Sequence, residues 1–271
     1  MTEITSLQNP RVKAAVRLRQ ARHRQHERRI VVDGAREIAR ALRGGVALVE
    51  VFVCEPLCAG EEAQELLKQL LERGVELVRV NKPVFEKLAF GERVEGLVAV
   101  AATPDASLER LAPPENPLVA VLEGVEKPGN VGAVIRSADA AGLDAVLVAD
   151  PRTDLYNPNA IRASLGTIFT VPIAEGTSDE ILPWLRRRKI AVFAARVDGS
   201  LAYTEADFRS PAAIVLGSEA EGLSPAWQSD EVTPIRLPML GAADSLNVSA
   251  AAAVIFYEAL RQRRGGGGRM E

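Results

Sequence analysis

The strongest constraint on the fold is the way short apolar runs stop at polar segments rich in glycine. Leu118-Val119-Ala120-Val121-Leu122 is followed by Pro128-Gly129-Asn130-Val131-Gly132 and an alanine-rich stretch containing Arg136 and Asp139. Ala212 to Leu216 runs into Gly217-Ser218-Glu219-Ala220-Glu221-Gly222-Leu223, and Thr233 to Leu237 leads through Pro238 to Ser245-Leu246-Asn247-Val248-Ser249. Runs that are apolar at nearly every position suit strands covered by helices on both faces, as in a parallel sheet. Ligands of such sheets sit beyond the carboxyl ends of the strands, which is where these polar segments fall.

The remaining pattern extends the alternation. Strands are predicted over Ala145 to Ala149, Thr170 to Ile173 and Ile190 to Ala195, and helices over Val131 to Ala141, Asn157 to Ser164, Ser178 to Arg188 and Ser249 to Arg263. A smaller α/β set precedes them: strands at Arg29 to Val32, Leu48 to Cys54, Glu76 to Val80 and Gly96 to Ala101, with helices at Gly34 to Leu42, Glu61 to Arg73 and Val84 to Leu88. Asn9-Pro10 is a helix start, and no Gly or Pro interrupts the chain from there to Val32, so one basic helix is predicted. The organisation is a basic helical arm (1–27), a small domain (28–102), a proline-rich linker (103–117), a large doubly wound domain (118–264) and a flexible tail (265–271) beginning Gly265 to Gly268.

Composition excludes several classes. No apolar stretch approaches the ~20 residues of a membrane span, and the first residues lack a secretory pattern, so a soluble, cytoplasmic protein is expected. Cys54 and Cys58 are the only cysteines and His23 and His26 the only histidines. Neither a disulfide framework nor a metal site is expected from them, and a histidine-activated nucleophile has no support in the C-terminal half. Trp184 and Trp227 read as packing residues. The net charge of −3 conceals an asymmetry: residues 1–44 hold eleven basic and four acidic side chains, a local +7 that leaves −10 for the rest. Arg11, Lys13, Arg17, Arg22, Arg24 and Arg28 belong to this basic stretch and are candidate phosphate contacts, against the alternative of a solvated helix face.

Asn130-Val131-Gly132 lies between a strand and a helix, where free amides favour an anionic group. The spacings of a dinucleotide fingerprint and of a P-loop are both absent. Taken together, Pro128 to Asp139, Gly217-Ser218-Glu219 to Gly222-Leu223, and Leu237-Pro238 to Ser249 resemble, in order and spacing, the three motifs of the SpoU (TrmH-type) RNA 2′-O-methyltransferases. Ile161-Arg162-Ala163-Ser164-Leu165-Gly166 is similar to a further turn of that family. Gly34-Ala35-Arg36-Glu37 and Val94 to Ala99 resemble its substrate-binding domain.

The resemblance implies a C-terminal SPOUT domain with a deep trefoil knot, an N-terminal domain resembling ribosomal-protein folds, and a homodimer through the knotted domains whose second subunit helps form the substrate site. It implies S-adenosylmethionine as cofactor, bound along Leu216, Gly217, Ile235, Leu237, Ser245 and Leu246, with Gly217 letting backbone approach the ligand. Arg136, Asn130, Glu219, Ser245 and Asn247 match the catalytic positions, Glu219 fixing Arg136 by a charge-assisted bond, and Arg162 joins the RNA contacts. Arg136 presents donors only, so orienting phosphate and hydroxyl suits it better than proton abstraction. The substrate implied is RNA, ribosomal in preference to transfer RNA. A non-catalytic RNA-binding protein that kept the fold, or a phosphate-binding enzyme of small molecules, are the rivals. Glu221, a second carboxylate in its loop, is a departure that bears on substrate choice.

Overall fold

The computed structural model describes residues 2–90 and 95–265. Val94 of the Val94 to Ala99 stretch and residues 266–268 of the glycine tail lie outside them. The chain forms two compact units: one runs to Asp105 and takes back Tyr156–Thr170, and the other comprises Ala106–Leu155 and the chain from Val171 onward. Tyr156–Thr170 lies within the span 118–264 assigned from sequence to the large domain, yet it packs with the first unit.

The first unit is a five-stranded mixed sheet in the order β1 (Thr2–Ile4), β4 (Leu77–Val80), β3 (Leu48–Val53), β5 (Leu97–Ala102), β2 (Arg29–Asp33). Its helices are α1 (Pro10–Arg17), α2 (Ala21–Glu27), α3 (Ala35–Arg43), α4 (Glu61–Glu72) and α5 (Lys82–Leu88), joined by α7 (Pro158–Ala163) from the returning segment. The basic N-terminal stretch is two helices, not one. Asn9 caps α1 as expected, but Leu18 turns into the core and Gln20 is extended, while Arg19 ties the break to the Lys87 and Ala89 carbonyls at 2.7 Å. Val12, Ala15 and Leu18 pack with Val84, Phe85 and Leu88 of α5, so the stretch is part of the unit's core, not a free arm.

Tyr156–Thr170 is held by specific contacts within this unit. Arg40 donates to the Leu165 carbonyl at 2.6 Å and Arg162 to the Phe90 carbonyl. A Cβ on Gly44 would stand 1.9 Å from the Phe169 carbonyl oxygen, so glycine is required there. Asp33 accepts a bond from the Phe90 amide beneath this segment, and burial pushes its carboxyl up to about 6 against the pull of that bond and of Arg162. Because the folded value lies above the unfolded 3.8, ionisation of Asp33 opposes folding: stability falls as pH rises from about 4 to about 6 and stays reduced above. Asp33→Asn should remove that slope and raise stability at pH 7 by roughly 2 kcal/mol, read from urea unfolding between pH 4 and 7.5. An unchanged slope would show that another group sets it.

The second unit is a seven-stranded, wholly parallel sheet. The order is β10 (Leu201–Ala202), β12 (Val232–Arg236), β9 (Ala191–Ala195), β11 (Ala212–Leu216), β6 (Leu118–Glu123), β7 (Ala145–Ala149), β8 (Ile173–Gly176). β6 and β11 lie at its centre and are buried along their whole length, as their continuous apolar runs require. α8 (Ser178–Arg187) covers one face, where Trp184 and Trp227 pack in the core with Val119, Val121 and Leu147, and α6 (Pro128–Ala141) packs against α9 (Val248–Arg264) on the other. Strand β8 begins three residues later than predicted because Thr170 still caps the 3-10 turn Thr167–Phe169 in the first unit and pairing with β7 starts only at Ile173, and β10 is too short for a periodicity to show. No helix among the described residues is long and apolar enough to cross a membrane.

Candidate active site

Three loops meet at the carboxyl end of the parallel sheet. After β6 the chain turns at Gly124, which has φ +61°, and enters α6 with Lys127 at the capping position. After β11 it folds back on itself, Ser218 and Gly222 bonding each other in both directions at 3.1 Å. A Cβ on Gly217 would lie 2.4 Å from the Gly222 carbonyl group, so glycine is required by this closure and not only by a ligand's approach. After β12 the chain reaches α9, where Asn247 caps the helix by accepting from the Ser249 amide at 3.0 Å.

These loops bring Asn130, Glu219 and Asn247 together. One carboxylate oxygen of Glu219, Oε1, accepts from Asn130 Nδ2 at 2.8 Å and also from Asn247 Nδ2. The other, Oε2, accepts from Lys127 Nζ at 2.7 Å. The bond from Lys127 is the chief cause holding the Glu219 carboxyl below its usual range, and it raises the lysine in return. Both oxygens are therefore engaged, which suits a structural carboxylate and not a base.

Beside this group opens a cleft of about 590 Å³, a volume typical of small-molecule sites. Leu216, Gly217, Leu237, Ser245 and Leu246, expected from sequence, line it together with Met239, Asp244, Val248 and the pair Arg196 and Asp198. Ile235 does not. It is fully buried in β12 with its carbonyl taken by the Arg196 amide at 2.9 Å, which places it behind the wall. Apolar side chains at Leu237 and Leu246 offer a surface for a flat heterocycle, and the exposed carboxylates of Asp244 and Asp198 can face cationic or hydroxyl groups. That mixture fits S-adenosylmethionine.

Arg136 differs from its expectation. It is exposed on α6, absent from the cleft wall and without a bond to Glu219, whose partners are Lys127, Asn130 and Asn247. Among the candidate RNA contacts, Lys13, Arg17, Arg22 and Arg28 are exposed. Arg11 is held by Glu50 at 2.5 Å and Glu76 at 2.8 Å, Arg24 is buried with its guanidinium on the Leu18 carbonyl at 2.7 Å, and Arg162 is committed to the Phe90 carbonyl. These three serve the first unit's own structure. Lys127 and Arg152 were not anticipated. Arg152 bridges Glu126, at 2.9 Å, and Glu221, so the second carboxylate of the loop has a partner on the protein. Only its proximity to Pro128 could have pointed to Lys127 in the sequence.

Residues 117–257 match the model of the SpoU rRNA Methylase family. The chain belongs to the SpoU rRNA methylase family. Residues 9–99 match an MRM3-like substrate binding domain. Among curated SpoU relatives, a 23S rRNA (uridine(2479)-2′-O)-methyltransferase of Streptomyces viridochromogenes is 31% identical, the match covering 87% of this chain and 84% of the relative. The 23S rRNA (guanosine-2′-O-)-methyltransferase RlmB of Haemophilus influenzae is 33% identical over 80% of this chain and 91% of its own. Among solved structures, an RNA 2′-O ribose methyltransferase is 42% identical with a TM-score of 0.85, covering 97% of this chain and 99% of that one. An AdoMet-bound rRNA methyltransferase from Sinorhizobium meliloti superposes with a TM-score of 0.86 at 28% identity, covering 96% and 97%.

Proposed function

We propose that this SpoU-family enzyme transfers the methyl group of S-adenosylmethionine to a ribose 2′-hydroxyl of 23S rRNA. The observation that carries the reading is the meeting of Asn130, Glu219 and Asn247 at the rim of the cleft, in a chain whose relatives are named for this reaction. Bound in the cleft, the cofactor supplies a methyl group activated by its attachment to a sulfonium. The protein's task is to hold the hydroxyl in line with that methyl and keep the approach rigid. Glu219 contributes rigidity: it latches three strand-end loops through Lys127, Asn130 and Asn247. Glu219 has no unengaged carboxylate oxygen to take the hydroxyl proton, which would pass to solvent as the methyl group leaves its sulfonium, the released cofactor product being the neutral thioether. Ser245, which lines the cleft, holds the ribose or the cofactor's amino-acid portion in this reading.

Arg136 acts on the substrate in this reading, its guanidinium clamping the phosphate next to the target ribose. Its absence from the cleft of its own subunit favours a homodimer in which Arg136 completes the partner's site. The α6 and α9 pair offers a surface for this, with Val254 39% and Tyr257 51% exposed on α9. The reading further includes a trefoil knot at the cofactor cleft, a first unit of ribosomal-protein-like fold, and a cytoplasmic setting.

The first unit holds the RNA through Lys13, Arg17, Arg22 and Arg28. Replacing all four by Ala should lower affinity for rRNA and flatten the slope of log K against log salt by about 3, since each lost phosphate contact removes ~0.7–0.9. An unchanged slope, with the fold intact by circular dichroism, would remove this surface from the RNA path. Deleting residues 1–27 is no substitute, because it removes Val12, Ala15 and Leu18 from the core. Incorporation of labelled methyl into rRNA, with mapping of the product to a 2′-O-methyl, tests the function itself.

A further inference from the structure

We propose that Lys127 is a positioning residue of the methyl-transfer site, holding the Glu219 carboxylate where one of its oxygens reaches both asparagines. The inference rests on the functional reading above. Lys127 stands at the capping position of α6, but its side chain makes no cap bond to the helix. Its ammonium instead reaches across to the loop after β11 and takes Glu219 Oε2 at 2.7 Å, leaving Oε1 to the amide groups of Asn130 and Asn247.

This division of labour has a geometric consequence. Two asparagines bonded to a single oxygen leave the other oxygen unheld, so by themselves they leave the Glu219 carboxylate free to swing and tilt about that shared oxygen. The ammonium holds that second oxygen and fixes the plane of the carboxylate. It keeps the carboxylate ionised and oriented, and so sets the spacing between the turn before α6 and the start of α9. Asn247 transmits the setting further, because its Oδ1 accepts from both the amide and the hydroxyl of Ser249, at 3.0 and 2.6 Å. An exposed ion pair of this kind adds little to stability, and Lys127 is 71% exposed. Its effect should therefore be read in rate, since small displacements at a reacting centre cost rate steeply. The loop itself has a second tether, the Arg152 and Glu221 pair, so loss of Lys127 should release the Glu219 side chain without releasing the loop.

The test is a set of four variants assayed with 23S rRNA beside the wild type: K127A, K127R, E219Q and the K127A/E219Q double. The measurements are kcat, KM for RNA, cofactor affinity by calorimetry, and melting temperature as a check of folding. K127A should lower kcat about 5- to 20-fold, with KM for RNA and cofactor Kd within about twofold of wild type. K127R should recover most of the rate. In the E219Q background, where no carboxylate remains to orient, K127A should cost less than about twofold. Wild-type kcat in K127A would reduce Lys127 to a surface ion pair, and a raised KM at unchanged kcat would make it a phosphate contact. Additive losses in the double variant would sever it from Glu219. Each of these overturns the assignment while leaving the enzyme's function standing. An inactive wild type would overturn the functional reading and this assignment with it.

Discussion

Arg136→Ala lowers methyl transfer by at least about 10²-fold, the scale of losing one preorganised charged donor at a reacting centre, while cofactor affinity stays within about threefold. The split follows from position. The residue is exposed on α6 and does not line the cleft, so the cofactor loses nothing directly when it is truncated. A guanidinium with no partner among the described residues retains its full donor fork for a phosphate. Subunit mixing then asks which cleft it serves. In a heterodimer of one Arg136→Ala subunit and one Asn247→Ala subunit, a site shared between subunits leaves one cleft with both native residues. Activity should then return to a substantial fraction of wild type, although each parent homodimer is inactive. If Arg136 serves its own subunit's cleft, every site in the heterodimer carries one defect and the mixture stays inactive. Lost cofactor binding in Arg136→Ala would remove the phosphate-clamp role altogether.

The second large effect concerns Gly217. A Cβ there meets the Gly222 carbonyl carbon and oxygen at 2.4 Å and the Leu223 nitrogen at 2.7 Å, all backbone atoms with no rotamer to yield. Gly217→Val must therefore open the loop that carries Glu219 and forms one wall of the cleft. We expect a stability loss of about 1–3 kcal/mol from overpacking and a cofactor Kd raised at least about tenfold, as the wall moves and Glu219 leaves Asn130 and Asn247. Gly129→Ala is the matching control: a Cβ there has nothing within 4 Å, and both quantities should stay near wild type. Equal tolerance at both glycines would mean that the loop closes without the contact described.

How far the sequence could be read depended on whether a feature was local. Ala145 to Ala149 and Ala212 to Leu216 were legible to the residue, because a strand buried on both faces writes an unbroken apolar run. The start of β8 was not, since Thr170 and Val171 continue the run from Ile168, and nothing in the run shows that Thr170 caps a 3-10 turn packed in the first unit. Nor was the break at Leu18 to Gln20, where no Gly or Pro marks it and only the burial of Leu18 and the reach of Arg19 explain it.

The site divided along the same line. Asn130, Glu219 and Asn247 could be named from spaced motifs, and the structure brings them into one hydrogen-bonded group. Their pairing could not be named. The resemblance pairs Glu219 with Arg136, but the cation that bonds it is Lys127, some ninety positions earlier in the chain. Basic residues were read as equivalent RNA contacts for a similar reason: sequence shows the charge of Arg11 and Arg24 but not the Glu50 and Glu76 carboxylates or the Leu18 carbonyl that already engage them. Ile235 stands in the expected strand but outside the cleft lining, its carbonyl engaged by the Arg196 amide, which no spacing in the sequence shows.

The most direct test of the account is to titrate the purified protein with S-adenosylmethionine in a calorimeter and then assay transfer of labelled methyl to ribosomal RNA isolated from cells lacking the protein. Saturable binding, followed by label that maps to a 2′-O-methylated nucleotide of 23S rRNA, is the predicted result. Absence of binding at millimolar cofactor, or label confined to transfer RNA or to a base, would contradict it.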